Sequence, residues 1–258
     1  MTHDPVLVAL LGLLGLVVGS FLNVCIYRLP RDLSVSFPAS HCPSCEHPLR
    51  WYHNVPVVSW LALGGRCAFC RASIHWRYPV VELLNAALWM LHAVWFPWDG
   101  LLVVRVLFAS ALLVLFFTDL DCRILPNEIT VGGTIAGLIA SFVVTPPGWV
   151  SSLLGVVLGG GVLWATGALY ERVRGVEGMG MGDVKMLAMI GAVLGWPLMI
   201  LTLIWSSMAG GLVGAVLLAF KADARTTALP FGSFLAPAAL LASLVGQPVL
   251  DWYLGFYR

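Results

Sequence analysis

The apolar positions of this chain fall into eight runs, at residues 5–27, 79–96, 101–118, 129–145, 149–170, 184–196, 198–220 and 230–250. Crossing the hydrocarbon of a bilayer takes about 20 residues of helix, so eight crossings would use about 160 residues. The pattern therefore predicts an all-α, polytopic transmembrane helical bundle of about eight spans with mostly short connections. The boundary least clearly marked is Gly195-Trp196-Pro197, where a single tight turn separates two runs and the first, 184–196, is short for a full crossing. Proline ends or kinks a helix at the residue before it. Only one connection is long, and the expected organisation follows from it: a first transmembrane span (1–27), a cytoplasmic loop domain (28–78) and a transmembrane domain (79–258).

Composition strengthens the membrane assignment. Of 258 residues, 60% are hydrophobic and 10% charged, against about 25% charged in soluble domains. A single soluble core cannot absorb so much apolar surface. Net charge is +1, which by itself argues neither for nor against nucleic acid; no block of like charges forms a basic tail, and no nucleic-acid partner is expected. The first run is not a cleaved signal peptide by its flanks: Thr2, His3 and Asp4 precede it, and the basic Arg28 and Arg31 follow it. Leu22-Asn23-Val24-Cys25 lacks the small residues of a lipoprotein site, so Cys25 is read as a helix residue. With the N-terminus outside, the inner loops are 28–78, 119–128, 171–185 and 221–229. They hold twelve of the fourteen Lys and Arg: Arg28, Arg31, Arg50, Arg66, Arg71, Arg77, Arg123, Arg172, Arg174, Lys185, Lys221 and Arg225. Only Arg105 and Arg258 fall elsewhere, and Arg105 is expected to snorkel outward. This asymmetry is the positive-inside pattern, with Trp95, Trp98, Trp149 and Trp196 as an aromatic belt at the outer ends.

The long loop carries Cys42-Pro43-Ser44-Cys45 and, after 21 intervening residues, Cys67-Ala68-Phe69-Cys70. Each C-x-x-C knuckle supplies two thiolates from one turn, and two knuckles complete a tetrahedron for zinc. The alternatives are a redox pair or unligated thiols, with His41, His47, His53 and His75 as substitute ligands. A reducing compartment disfavours disulfides. A four-cysteine site has no open position for substrate, so its expected role is to order the loop.

Carboxylates at the membrane border are the remaining candidates for chemistry. Asp119 ends the third run within Phe116-Phe117-Thr118-Asp119-Leu120-Asp121-Cys122-Arg123. Asp183 begins the sixth within Gly178-Met179-Gly180-Met181-Gly182-Asp183-Val184-Lys185. The topology brings both to one face at one depth. A bland reading makes them interfacial charges, Asp183 being stabilised at a helix N-terminus. Yet border carboxylates are costly to keep, and Gly178, Gly180 and Gly182 leave backbone that can close around a peptide. Two adjacent carboxylates cannot both ionise easily, so one keeps its proton while the other deprotonates a water, as in aspartic proteases. Asp121 lies about 200° around a helix from Asp119 and should not share its direction.

These segments together resemble the type IV prepilin peptidases, membrane aspartic proteases of the Gly-x-Gly-Asp class. The resemblance rests on Gly19-Ser20-Phe21-Leu22-Asn23-Val24-Cys25-Ile26-Tyr27-Arg28-Leu29-Pro30, both knuckles, Arg77-Tyr78-Pro79-Val80-Val81-Glu82, the Asp119 stretch through Leu125-Pro126-Asn127, and Gly178 to Lys185. Pro230-Phe231-Gly232-Ser233-Phe234-Leu235 belongs to it too, with Ser233 where proline is expected. The resemblance implies that Asp119 and Asp183 are the catalytic acids of a bacterial inner-membrane enzyme with a periplasmic N-terminus. It further implies cleavage of type IV prepilin or pseudopilin leaders after a glycine on the cytoplasmic face. Members with the cysteine loop also N-methylate the new terminus from S-adenosylmethionine. No Gly-x-Gly-x-x-Gly element of a dinucleotide fold is present to support that independently. Gly65 matches a glycine that the family links to methylation, and equally fits a turn before the Cys67 knuckle.

Membrane lipid is the other expected partner. Glu82 is expected to pair with a basic loop residue or to touch substrate, and Lys185 to tune Asp183 or to anchor a lipid phosphate. Met179, Met181, Met186 and Met189 are read as adaptable packing. Two rival functions are a transporter, which inverted repeats would favour and none is visible, and a non-enzymatic scaffold for pilus or secretion assembly.

Overall fold

The structure, a computed structural model, describes residues 4–175, 180–220 and 230–256. Thr2, His3, Gly178, Met179, Lys221, Arg225 and Arg258 lie outside the described residues. The helices are α1 (Pro5–Arg28), α2 (Val58–Ala62), α3 (Arg77–Trp95), α4 (Gly100–Cys122), α5 (Asn127–Ala140), α6 (Trp149–Arg174), α7 (Met181–Leu194), α8 (Trp196–Phe220) and α9 (Gly232–Gly255). All but the short α2 coincide with the eight apolar runs. Five are long and apolar enough to cross a membrane: α1 with the short turn that extends it to Arg31, α4, α6, α8 and α9. The chain is thus an all-helical, multi-pass membrane protein. With 14 residues each, α5 and α7 reach only about 21 Å at 1.5 Å per residue, short of the ~30 Å hydrocarbon.

The chain forms two compact units, Met1–Trp98 and Asp99–Arg258. Packing thus joins α3 to the first unit, although the sequence groups it with the helices that follow. In that unit, α1 lies against α3 along Gly12, Gly15 and Gly19. A side chain at Gly15 would meet the Ala86 Cα at 2.9 Å, and one at Gly19 the Glu82 Cα at 2.7 Å. Small residues at this spacing let helix backbones approach in lipid. The approach lets Asn85 Nδ2 donate to the Gly15 carbonyl at 2.7 Å and Asn23 Nδ2 to that of Tyr78 at 3.1 Å.

The second unit is built around α7, which packs on α5, α6, α8 and α9. Met186, Leu187, Met189, Ile190 and Leu194 are fully or almost fully buried, with Leu112 and Leu115 of α4 and Leu235 of α9. A helix surrounded by protein need not span the lipid, which is why α7 is short. At Gly195, φ is +80°, a conformation that suits glycine, and the chain turns straight into α8. Polar side chains inside the helices close on their own carbonyls, as Ser110 on Val106, Thr130 on Pro126 and Thr202 on Leu198, since lipid offers no other partner. Arg105 does not snorkel: it is 3% exposed. It shares the i, i+4, i+7 face of α4 with Leu101, Phe108 and Leu112, all buried, and this face turns inward.

The tightest contact brings α6 and α7 backbone to backbone. A Cβ at Gly155 would overlap the Gly191 carbonyl oxygen. Neither backbone can swing aside as a side chain would. Gly155→Ala is expected to cost about 1–3 kcal/mol, read as a lower melting temperature in detergent. Gly161→Ala on the same helix, where a Cβ meets nothing within 4 Å, should leave it unchanged.

Candidate active site and metal cluster

Three helix ends meet around two carboxylates. Asp119 sits in the last turn of α4, which stops because Arg123 adopts a left-handed conformation (φ +55°) and donates its N–H to the Asp119 carbonyl at 2.9 Å. Leu125 and Pro126 then lead into α5. Asp183 sits in the first turn of α7, its N–H on the Gly180 carbonyl at 3.1 Å. The third end is the start of α9, where Phe231 is the cap and Gly232 and Ser233 open the helix. Helix-opening N–H groups have no partner within their own helix, and these find the acids. Asp119 Oδ2 accepts from the Ser233 N–H at 2.6 Å and from the Ser233 hydroxyl at 2.9 Å. The Gly232 N–H is directed at Asp183.

Glycine is required at 232 for a steric reason. A Cβ there would stand 3.0 Å from Asp119 Cγ and Oδ2. Gly182 is likewise explained by packing, since a Cβ would meet Leu125 at 3.1 Å. Asp119 is 4% exposed, Asp183 is half-buried, and the two are close enough for their charges to repel. Asp183 Oδ1 is buried and accepts no hydrogen bond from the described residues. Asp121 is exposed, as its angle around α4 requires. The two acids singled out by the sequence are thus brought together. What sequence reasoning missed is Ser233 as a contact of Asp119. Its only signal was a serine in place of an expected proline.

The four cysteines converge within the first unit. Their sulfurs all lie within 4.8 Å of one another, and Cys42 Sγ is 3.8 Å from Cys70 Sγ. Zinc–thiolate bonds of about 2.3 Å in a tetrahedron put sulfurs about 3.8 Å apart, so the donor set fits zinc. The two knuckles are built alike. Cys42 N–H donates to the His47 carbonyl and Glu46 N–H back to Cys42; Cys67 N–H donates to Ala72 and Arg71 N–H back to Cys67. Backbone N–H groups of Cys70 and Phe69 directed at the Cys67 sulfur lower its thiol to about 6, favouring the thiolate that binds metal. All six cysteines are free of disulfides. No histidine joins the set among the described residues; His47 and His53 instead flank the Phe69 ring, at centroid distances of 3.6 and 5.4 Å.

Three other residues take structural places. Glu82 makes no ion pair among the described residues. Its Oε2 accepts the Val57 N–H at 2.8 Å, anchoring a residue whose φ of +60° is strained for a β-branched side chain. Lys185 Nζ donates to Asn127 Oδ1 at 2.8 Å, tying the start of α7 to the start of α5. Gly65 has φ +67°, and a Cβ would meet the Trp60 ring at 2.9 Å; its carbonyl accepts from Ile74 across the second knuckle. The turn and the Trp60 ring thus both call for glycine there.

Comparison with known proteins finds two family models in tandem. Residues 13–96 match the bacterial peptidase A24 N-terminal domain and residues 106–215 the type IV leader peptidase family. The chain is 38% identical to a prepilin leader peptidase/N-methyltransferase of Stutzerimonas stutzeri, over 100% of this chain and 98% of that protein. It is 36% identical to the protein of that name from Pseudomonas aeruginosa, over 99% and 96%. For Myxococcus xanthus the figures are 40% identity, over 84% and 67%. No solved structure matches.

Proposed function

The chain belongs to the type IV leader peptidase family, and on that premise we propose that it carries out leader cleavage with Asp119 and Asp183 as its catalytic pair. It is an enzyme, a prepilin leader peptidase and N-methyltransferase. The observation that supports the pair most directly is the meeting of α4, α7 and α9, where the first two N–H groups of one helix are shared between acids from two others.

In the proposed step, one carboxylate takes a proton from water as the water oxygen bonds to the scissile carbonyl carbon. The other carboxyl gives its proton to the carbonyl oxygen. Collapse of the tetrahedral intermediate breaks the carbon–nitrogen bond, and the leaving amine takes the proton from the water. No metal is needed. A pilin precursor suits the location: its apolar helix lies among the spans while its basic leader reaches the inner loops. The scissile bond after glycine then arrives at the border where the acids sit, on the cytoplasmic face of the inner membrane, with the N-terminus of the enzyme periplasmic.

Zinc is the proposed metal of the knuckles, held by Cys42, Cys45, Cys67 and Cys70 and ordering the loop. The proposed methyl donor is S-adenosylmethionine. When bound, it would supply the methyl group to the new terminal amine, which would give up a proton.

One incubation tests both activities. With a type IV prepilin and labelled S-adenosylmethionine, mass measurement of the product should give a mature N-terminus one methyl group heavier than cleavage alone. An uncleaved substrate would end the peptidase reading; a cleaved, unlabelled product would end the methylation reading.

A further inference from the structure

We propose that Ser233 is a positioning residue that fixes Asp119 as the ionised member of the pair and extends cleavage to lower pH. The inference rests on the catalytic pair proposed above. Its ground is an asymmetry in hydrogen bonding. Asp119 Oδ2 receives two short donors from one residue, the backbone N–H and the hydroxyl of Ser233. Asp183 has only the Gly232 N–H directed at it, and its buried Oδ1 receives no donor from the described residues. Donors to a carboxylate favour its charged form, whereas burial with fewer donors favours the neutral acid. When two carboxylates share one proton, the better-solvated one gives it up. The geometry therefore makes Asp119 the base toward water and Asp183 the acid toward the carbonyl oxygen.

Nothing else near Asp119 among the described residues duplicates this effect. The charged groups that reach it are Asp183 of α7 and Arg123, just past the end of its own helix. On α9 the next titratable residue after Ser233 is Asp251, about five turns away. Lys185 of α7 is engaged with Asn127, and Glu128 of α5 is exposed. Arg123 is exposed as well, so solvent weakens its attraction. Ser233 is 8% exposed, and its bonds to Asp119 are shielded from competition by water.

The consequence for pH has a definite sign. Cleavage requires ionised Asp119, so the rate falls on the acid side as the pair takes up a second proton. Fewer donors make that uptake easier and move the acid limb to higher pH. Ser233→Ala removes the hydroxyl and keeps the N–H; Ser233→Pro removes both, and proline is tolerated in the first turn of a helix.

The test is the pH profile of kcat for cleavage of a prepilin by the full-length protein in detergent or lipid. Ser233→Ala should raise the acid limb by about one pH unit, a roughly tenfold loss of rate on that limb, and Ser233→Pro by more, up to about two units. Both should keep the neutral plateau within about threefold, a split that a merely structural defect would not produce. Ser233→Thr keeps the hydroxyl and should match the parent. Identical acid limbs in all three variants overturn the inference, as does an equal loss at every pH. Asp119→Asn and Asp183→Asn run in parallel separate the two levels. If both abolish cleavage while the Ser233 limbs stay put, only the role of Ser233 falls. If either retains cleavage, the catalytic pair falls and the role of Ser233 with it.

Discussion

Asp119→Asn and Asp183→Asn should each lower leader cleavage by about 10²–10⁴-fold, the range carried by a positioned acid or base. The double variant should be hardly worse than either single one, because the pair acts as one proton-sharing unit. Asparagine keeps shape and volume, so folding should survive. Removing one of two repelling carboxylates should leave the melting temperature unchanged or raised. That separates chemical loss from unfolding. Methylation offers a second control: a synthetic peptide that already bears the mature free N-terminus needs no aspartate, and both variants should still methylate it. Asp121→Asn should stay within a few-fold of the parent, since Asp121 faces away from the pair. Unimpaired cleavage in either Asp119→Asn or Asp183→Asn would remove the proposed mechanism.

Replacing Cys42, Cys45, Cys67 and Cys70 together by serine should abolish zinc binding and unfold the loop that carries them. Structural zinc is worth about 10–16 kcal/mol in small zinc-bound peptides, and the loop's other ties are few: its two bridges, His41 with Pro48 and Arg66 with Ser73, are isolated pairs, and single hydrogen bonds such as that of Val57 to Glu82 complete them. The measurements are zinc content, expected at one ion per chain in the parent and none in the variant, and limited proteolysis within residues 40–75. A chelator should reproduce the effect. So should acid, because protons displace metal from thiolates once the pH falls well below the thiolate range. Purified protein without zinc, or a loop equally resistant to protease in the variant, would defeat the assignment. Serine at one position alone should weaken binding less, since three thiolates and water can still hold zinc.

Much of the fold was legible because hydrophobicity is local. Eight apolar runs became eight helices, with ends within a few residues of those expected, since each helix satisfies its own backbone inside lipid. The cysteine cluster was legible for a similar reason: two thiols per knuckle are set by a turn of a few residues, repeated almost unchanged. The meeting of the acids was legible through topology, because an even number of helix reversals separates the end of α4 from the start of α7.

Other particulars depended on which faces meet. Arg105 looks from sequence like a charge at a helix end, yet its face carries Leu101, Phe108 and Leu112 into the core. Glu82 looks like half of an ion pair, and it instead holds the backbone of Val57. The apolar run of α7 could have faced lipid; glycines on α5 and α6 allow close enough approach to enclose it.

The sequence by itself determined the membrane setting, the helices and the cysteine cluster, and it singled out the two acids as candidates, all through patterns read within a short stretch of chain. Only the tertiary structure decided what surrounds the acids. Ser233 is 114 residues from Asp119, and its contact exists because α4 and α9 pack at one particular rotation and height. A helix periodicity fixes neither. A shift of one residue along α9 would rotate Ser233 by about 100° and leave Asp119 without its donors.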